Sequence, residues 1–113
     1  MRFKFDVKHD NVRPVAWYAM GIADEICKNL FGEECVITSL NDGEHSGNSK
    51  HYTGEGIDIR TRHLSFMEEQ LYYLRIATRL EPLGYDIVLE SSPRHIHIEY
   101  DPKQGESLFK LTD

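Results

Sequence analysis

The sequence has few cysteines and no long apolar stretch. Its two cysteines, Cys27 and Cys35, are too few for a disulfide framework, and they do not form a CxxC pair of the kind that binds zinc. We expect both thiols to be reduced, with a Cys27–Cys35 disulfide as the alternative. No run of about 18 apolar residues is present, so the sequence predicts no membrane-spanning helix and no membrane anchor of that kind.

Basic side chains are also fewer than acidic ones. The chain has 13 Lys and Arg against 19 Asp and Glu, which gives a net charge of −6. This excess of negative charge argues against a general nucleic-acid binder and against a polybasic membrane anchor. The first residues, MRFKFDVKHD, lack the apolar core of a Sec signal peptide, so we expect synthesis in the cytoplasm without such a signal.

The sequence does contain enough apolar material for one core. Of its 113 residues, 40% are apolar, and these include five Phe, six Tyr and one Trp. A chain of this length can bury roughly two-thirds of its unfolded surface, so it needs neither a disulfide nor a metal merely to fold. We expect a single domain spanning residues 1–113, and a monomer.

Two segments have helical periodicity. The first begins at Pro14, carries apolar residues at steps of three and four, and is predicted to end at Gly32. The second is Ser65–Leu80, where Ser65 and Glu68 have the spacing of a capping box. The residues that we expect to form its buried stripe are Met67, Leu71, Leu74 and Ala77 or Ile76.

Alternating and β-branched segments predict the strands. The strand candidates are Cys35–Leu40, Gly56–Thr61, Tyr85–Glu90 and His95–Tyr100, with Arg2–Val7 as a short edge strand or arm. The last two candidates are joined by the short link SSPR, which indicates a hairpin. The order of elements predicts an α+β fold, a small and mostly antiparallel sheet with two helices packed on one face.

Chemistry-bearing side chains fall on the polar faces of these strands. Alternation places His95, His97 and Glu99 on one side of the last strand, and it places Asp58 on the polar side of its own strand. If the two strands lie side by side, Asp58 and His97 come within reach of one atom. His51 precedes Asp58 by seven positions, in a long loop rich in Gly, Ser and Asn of the kind that usually serves a function.

These residue types fit a catalytic zinc site. Two neutral imidazoles and a carboxylate, here His51, His97 and Asp58, can bind zinc and leave a fourth position for water. Glu90 and His95 are then candidates for the acid/base and oxyanion roles. Arg60 and Arg94 are also expected near this site. Each is either a bidentate contact for a substrate carboxylate or a member of a surface ion pair.

The stretch HSGNSKHYTGEGIDIR resembles the motif of the D-Ala-D-Ala metallopeptidase family, which includes murein endopeptidases and the hedgehog signalling domain. That motif is Ser-x-His-x-x-Gly-x-x-x-Asp, followed later by a histidine, often as His-x-His. The matching residues are Ser49, His51, Gly54, Asp58, His95 and His97. The resemblance extends over about Val36–Pro102, and the hedgehog-like and phage endolysin branches are similar in particular.

The resemblance implies zinc held by His51, Asp58 and His97, with His95 lining the site and a glutamate as the base. It places Ser49 near the carboxylate of the substrate. The implied substrate is the stem or cross-bridge peptide of peptidoglycan, cut by a carboxypeptidase or by an endopeptidase. The implied setting is a phage or prophage protein that acts at the cell wall once released.

The sequence departs from the family pattern at the base. In the family, a Glu or Asp lies three or six residues before the last zinc ligand, and here those positions hold Arg94 and Ser91. Glu90 lies seven residues before His97, so it reaches the site only if the hairpin loop is longer than in the family. Glu99 is the second candidate for the base. Two alternatives therefore stay open: a zinc-binding module or virion component without turnover, and an unrelated α+β protein with structural histidines.

Overall fold

The computed structural model describes residues 1–10, 12–40 and 56–102 of the chain. Its elements in chain order are β1 (Arg2–Phe3), α1 (Pro14–Phe31), β2 (Val36–Leu40), β3 (Gly56–Arg60), α2 (Phe66–Leu80), a 3₁₀ turn (Glu81–Leu83), β4 (Tyr85–Glu90) and β5 (His95–Tyr100). No helix in these ranges is both long enough and apolar enough to cross a membrane.

The strands form one five-stranded sheet in the order β1-β2-β3-β5-β4. The β1–β2 pairing is parallel, and the other three pairings are antiparallel. Both helices contact the sheet, α1 through β3 and β5, and α2 through β4. The prediction of an α+β fold with two helices on a mostly antiparallel sheet is confirmed, and the first segment contributes a two-residue edge strand.

The core lies between the helices and one face of β3 and β5. The four isoleucines that alternation places on this face, Ile57, Ile59, Ile96 and Ile98, are at most 1% exposed. They pair across the two strands, Ile57 with Ile98 and Ile59 with Ile96. Because successive side chains of a strand point to opposite faces, burying these residues leaves the intervening polar residues on the other face.

The helix boundaries that the sequence predicted at Pro14, Gly32 and Ser65 are observed. Helix α1 begins at Pro14 and is closed by Gly32, whose φ of 72° is the left-handed conformation that glycine adopts without a steric cost. At the start of α2, the Ser65 hydroxyl accepts a hydrogen bond from the Glu68 N–H at 3.1 Å. The Glu68 carboxylate accepts one from the Ser65 N–H at 2.8 Å, which completes the capping box.

The predicted buried stripe of α2 is wrong for three of its members. Met67 is 76% exposed, Leu74 57% and Leu71 40%. The buried residues of this helix are Glu69, Tyr72, Ile76, Ala77 and Leu80. Both sets have helical spacing, and packing decides between them. Tyr72 donates a hydrogen bond to the Ala23 carbonyl at 2.9 Å, and its ring packs against Phe31, so this face of α2 turns towards α1.

Both cysteines are buried free thiols, as the composition predicted. Burial raises the pKa of Cys27, and it raises the pKa of Cys35 to about 12. At pH 8 we therefore expect neither thiol of the folded protein to react with Ellman's reagent over minutes, and both to react at once in guanidinium. Rapid reaction of one equivalent in the native state would contradict the buried placement.

Asp24 on α1 is a buried carboxylate with several hydrogen-bond donors. Burial alone would raise its pKa, but the Cys35 N–H, the Met1 ammonium and Lys28 outweigh that effect and lower the pKa to about 2. A lowered pKa stabilises the fold above the unfolded-state value of about 4, and this contribution is lost as pH falls towards 2.

We therefore expect Asp24→Asn to reduce the free energy of unfolding by about 1 to 2 kcal/mol at pH 7. The difference from the parent protein should shrink between pH 4 and pH 2, because protonation then removes the same charge from the parent. Urea unfolding at several pH values measures both effects. A difference that stays constant down to pH 2 would show that the Asp24 charge contributes little.

Candidate metal centre

The register of three strands assembles the polar cluster. Strands β3 and β5 pair Asp58 with His97 and Arg60 with His95, and β4 and β5 pair Glu90 with His95. All five side chains lie on the face opposite the isoleucine core. The predicted site residues of these strands are thus neighbours because they are cross-strand partners, whose Cβ atoms lie about 4.5–5.5 Å apart in antiparallel pairs.

The side chains of Asp58, Glu90, His95 and His97 lie within 4 Å of one another in successive pairs. Nδ1 of His97 lies 2.6 Å from Oδ1 of Asp58, and Nε2 of His95 lies 2.8 Å from Oε1 of Glu90. Nε2 of His95 is also 3.9 Å from Oδ1 of Asp58. The Asp58 carboxylate therefore lies between the two imidazoles, and the Glu90 carboxylate closes the cluster on the side of β4.

The hairpin pairing brings Glu90 to the cluster despite its extra residue of sequence separation. The last residue of β4 lies opposite the first residue of β5, so Glu90 faces His95 directly. The ring of His95 is held on its other side by the Pro93 carbonyl, 2.8 Å from Nδ1. A carbonyl only accepts hydrogen bonds, so Nδ1 carries the proton and Nε2 faces the two carboxylates.

The electrostatics of the cluster favour positive charge. The hydrogen bond to Asp58 raises the pKa of His97 to about 9, although burial opposes this, and Glu99 at 3.3 Å from Nε2 adds to the rise. Burial also acts against a charged His95, but the Pro93 carbonyl, Asp58 and Glu90 together raise its pKa. Three carboxylates thus surround two imidazoles, and a cation bound among them would be stabilised in the same way as the protons.

One group within the described ranges has the compactness of a metal site. Ligand atoms from Asp58, Glu90 and His95 all lie within 4.8 Å of one another. This group can hold a metal ion, and its oxygen and nitrogen donors do not by themselves select zinc. The sequence assigned the metal to His51, Asp58 and His97. The structure places His97 against Asp58 as well, so both histidines border the same carboxylate.

The other predicted site residues have different positions. The predicted zinc ligand His51 and the predicted substrate contact Ser49 lie outside the described residues. Nε of Arg60 is buried and has no hydrogen-bond partner among the residues that the structure describes. The guanidinium of Arg94 lies 3.2 Å from Oε1 of Glu69 and donates to two backbone carbonyls, so it already has partners within the fold.

Sequence reasoning missed the residues that complete the surroundings of the cluster. A pocket beside Asp58 and His95 is also lined by Lys4, Thr38, Ser39 and Arg62. Arg62 continues the alternation of Asp58 and Arg60 and could have been found from it. Lys4 could not have been found, because it reaches the site only through the parallel pairing of β1 with β2.

A buried hydrogen-bond network links the β4–β5 hairpin to α2. Glu69 on α2 is 4% exposed, accepts a hydrogen bond from the buried Thr61 hydroxyl and pairs with Arg94. We expect Glu69→Ala to reduce the free energy of unfolding by about 2 to 3 kcal/mol, because it leaves Thr61 and Arg94 without their acceptor. Because the Arg94 side chain is 33% exposed, the expected loss of stability is smaller than for a fully buried ion pair.

Urea unfolding of the two proteins measures this loss. Glu25→Ala, which removes an exposed glutamate from α1, is the matched control and should change stability by less than about 0.5 kcal/mol. A loss below about 1 kcal/mol for Glu69→Ala would mean that water replaces the network without cost.

Comparisons with models of protein families, with curated protein sequences and with solved structures gave no match. The relation to the D-Ala-D-Ala metallopeptidases therefore remains a prediction. It depends on the motif residues of the sequence and on the cluster described above.

Proposed function

We propose that this protein is a zinc-dependent peptidase that cleaves peptides of peptidoglycan. The observation that carries the proposal is the meeting of Asp58, Glu90, His95 and His97 on one polar sheet face. Asp58, His95 and His97 match the family motif, Glu90 is the glutamate that the sequence offers as the base, and the four residues come from three separate strands. The hedgehog-like form of the α+β fold belongs to the same proposal.

The donor set of the cluster fits zinc. Zinc in proteins takes imidazole nitrogens and carboxylate oxygens in tetrahedral geometry, at about 2.0–2.2 Å. Two donor atoms on such an ion lie about 3.3 Å apart, so the 2.6 Å between Nδ1 of His97 and Oδ1 of Asp58 would need to open only slightly. The motif supplies His51 as the third ligand. When bound, zinc acts as a Lewis acid and lowers the pKa of water at the site.

The chain's own residues would supply the rest of the reaction. Glu90, at the open edge of the cluster, accepts a proton from the attacking water and passes it to the leaving amine. His95, held by the Pro93 carbonyl and adjacent to Glu90, donates a hydrogen bond to the carbonyl oxygen as negative charge develops on it. Asp58 and His97, which are cross-strand partners, would hold the metal side by side.

The setting follows from the resemblance to the phage endolysin branch. We propose a phage or prophage protein that is made in the cytoplasm, acts as a monomer and reaches the cell wall when it is released. The acidic surface of the chain suits a small diffusing enzyme better than a nucleic-acid or membrane binder.

Incubation of the zinc-loaded protein with purified peptidoglycan tests the proposal. Products identified by mass spectrometry should appear with zinc, and they should be absent after chelation and in His51→Ala. Cleavage that survives chelation would contradict a zinc peptidase. So would the absence of products from a protein shown to hold one zinc ion.

A second candidate function is a zinc-binding module of the same fold without turnover. It is favoured by one observation: Glu90 is about half exposed, at 48%, and already hydrogen-bonded to His95, in a hairpin one residue longer than the family pattern. Binding of the zinc form to peptidoglycan fragments, with no product released, would favour this module over the peptidase.

A further inference from the structure

Two residues of the polar cluster are not needed to hold the zinc ion of the proposed peptidase. That ion is assigned to His51, Asp58 and His97, which leaves Glu90 and His95 to act on the substrate. The same two residues nevertheless form, with Asp58, the compact group whose ligand atoms lie within 4.8 Å of one another. The cluster therefore contains more donors than one zinc ion with three protein ligands requires.

The ring of His95 is held in the way that a metal ligand is held. Its Nδ1 donates a hydrogen bond to the Pro93 carbonyl at 2.8 Å. Its Nε2 is thereby directed to the Glu90 carboxylate at 2.8 Å and towards Asp58 at 3.9 Å. Metal-binding histidines almost always donate their other ring N–H to a carbonyl or a carboxylate, which fixes the tautomer and the orientation of the ring. The backbone therefore presents Nε2 of His95 to a cation.

His97 repeats this arrangement on the other side of Asp58. Its Nδ1 lies 2.6 Å from Oδ1 of Asp58, and its Nε2 lies 3.3 Å from the Glu99 carboxylate. Each imidazole thus turns one nitrogen towards Asp58 and has an acceptor at the other nitrogen. An ionised carboxylate has two oxygens with about four lone-pair positions, so Asp58 can serve a cation on each side.

A second cation can reach Glu90 and His95, but its surroundings weaken it. Both side chains are partly exposed. Two donor atoms on one zinc ion lie about 3.3 Å apart, so the 2.8 Å between Nε2 and Oε1 must open slightly, which the exposed Glu90 side chain permits. The basic residues Lys4, Arg60 and Arg62 line the adjacent pocket, and the first zinc adds positive charge. This repulsion should make the second zinc bind at least about tenfold more weakly than the first.

We infer that a second zinc ion binds to Glu90, His95 and Asp58 and inhibits the peptidase when zinc is in excess. The inference rests on the proposed peptidase function, because inhibition requires an activity. A Glu90 carboxylate that binds zinc cannot accept a proton from water. A His95 Nε2 that binds zinc cannot donate a hydrogen bond to the carbonyl oxygen of the substrate. Both groups are thus withdrawn from the reaction together, while the first zinc stays in place.

Titration of the full chain with zinc tests the inference by activity and by binding. Cleavage of peptidoglycan should be greatest near one zinc ion per chain and should fall as zinc rises further. Magnesium in the same excess should not reduce cleavage, because it prefers oxygen ligands and an imidazole suits zinc. Calorimetry should resolve two zinc-binding events in the parent protein, the second weaker than the first.

Three variants locate the weaker binding event. Glu90→Gln and His95→Gln should each weaken it at least about 100-fold, because each removes a ligand, and Glu90→Gln should leave the tighter event within a few-fold of the parent. Glu81→Gln changes an exposed carboxylate outside the cluster and should keep both events.

Arg62→Gln gives a test in a variant that keeps the catalytic groups. Arg62 is exposed and lines the pocket beside Asp58 and His95. Loss of its charge should lower the zinc concentration that halves the activity by roughly 1.5- to 5-fold, the size of effect that exposed charges have. Arg75→Gln removes the same charge from the exposed face of α2 and should leave that concentration unchanged.

The outcomes separate the two proposals. Zinc-dependent cleavage that excess zinc does not reduce would overturn the inhibitory site and leave the peptidase intact. A weaker binding event that persists in both Glu90→Gln and His95→Gln would place the second zinc elsewhere and would also overturn the inference. Two binding events, the weaker one lost in both variants, without cleavage at any zinc concentration would remove the peptidase and keep the second zinc site. A chain that binds no zinc would overturn both proposals.

Discussion

Asp58→Ala should weaken zinc binding at least 100-fold and abolish peptide cleavage. The reason is the central position of this carboxylate, which is 2.6 Å from Nδ1 of His97 and 3.9 Å from Nε2 of His95. Loss of a residue that only orients a metal ligand typically costs 10- to 100-fold in affinity, and loss of a ligand costs more. Competition with a chromogenic chelator measures the affinity, and product release from peptidoglycan measures the activity.

Asp10→Ala is the matched control for Asp58→Ala. It removes an exposed carboxylate from the segment before α1 and should leave both zinc affinity and cleavage within about twofold of the parent. Unchanged zinc affinity in Asp58→Ala would mean that the metal, if one binds, lies elsewhere in the chain. In that case the cluster would be a polar sheet face with structural histidines.

Glu90→Gln should reduce kcat by a factor of about 100 to 10,000 while zinc affinity stays within a few-fold of the parent. Glutamine keeps the size of the side chain and can still bond to His95, but it cannot accept a proton from water. Proton transfer by a positioned base contributes a factor of this size. Because Glu90 also belongs to the compact group that can hold a metal, zinc affinity must be measured beside activity.

The matched variant for Glu90→Gln is Glu99→Gln, which changes the other glutamate of the cluster. Glu99 lies 3.3 Å from Nε2 of His97, and its replacement should lower kcat by less than tenfold. If Glu99→Gln instead removes turnover and Glu90→Gln does not, the base is Glu99. If Glu90→Gln loses zinc and activity together, Glu90 is a metal ligand and not the base.

The sequence predicted the face on which the chemistry lies because strand alternation is a local property. The buried Ile57 and Ile59 determine that Asp58 points away from the core, and the same alternation holds for the histidines of β5. The ends of the helices were predictable for a similar reason. Ser65 and Gly32 act on neighbouring backbone groups, and no distant residue is needed to recognise them.

The remaining features depend on long-range packing. Helix α2 has two faces with acceptable spacing, and its contacts with α1, which include the Tyr72 hydrogen bond, and with β4 select between them. Arg94 was a reasonable candidate for substrate binding, but the partner that occupies it, Glu69, lies 25 residues away on α2. The proximity of Glu90 and His95 depended on hairpin register, which spacing along the chain does not determine.

The polar cluster and the rest of the pocket lining lie on different parts of the fold, and this affects how the protein can evolve. Asp58 and His97 each lie between two buried isoleucines of β3 and β5, and His95 is followed by one of these, Ile96, so a change in the path of these strands disturbs the core. Lys4 and Arg62 border the pocket from exposed segments outside the two central strands. Mutations around the pocket can therefore accumulate at the periphery at little cost in foldability, while the polar cluster stays constrained by the core behind it.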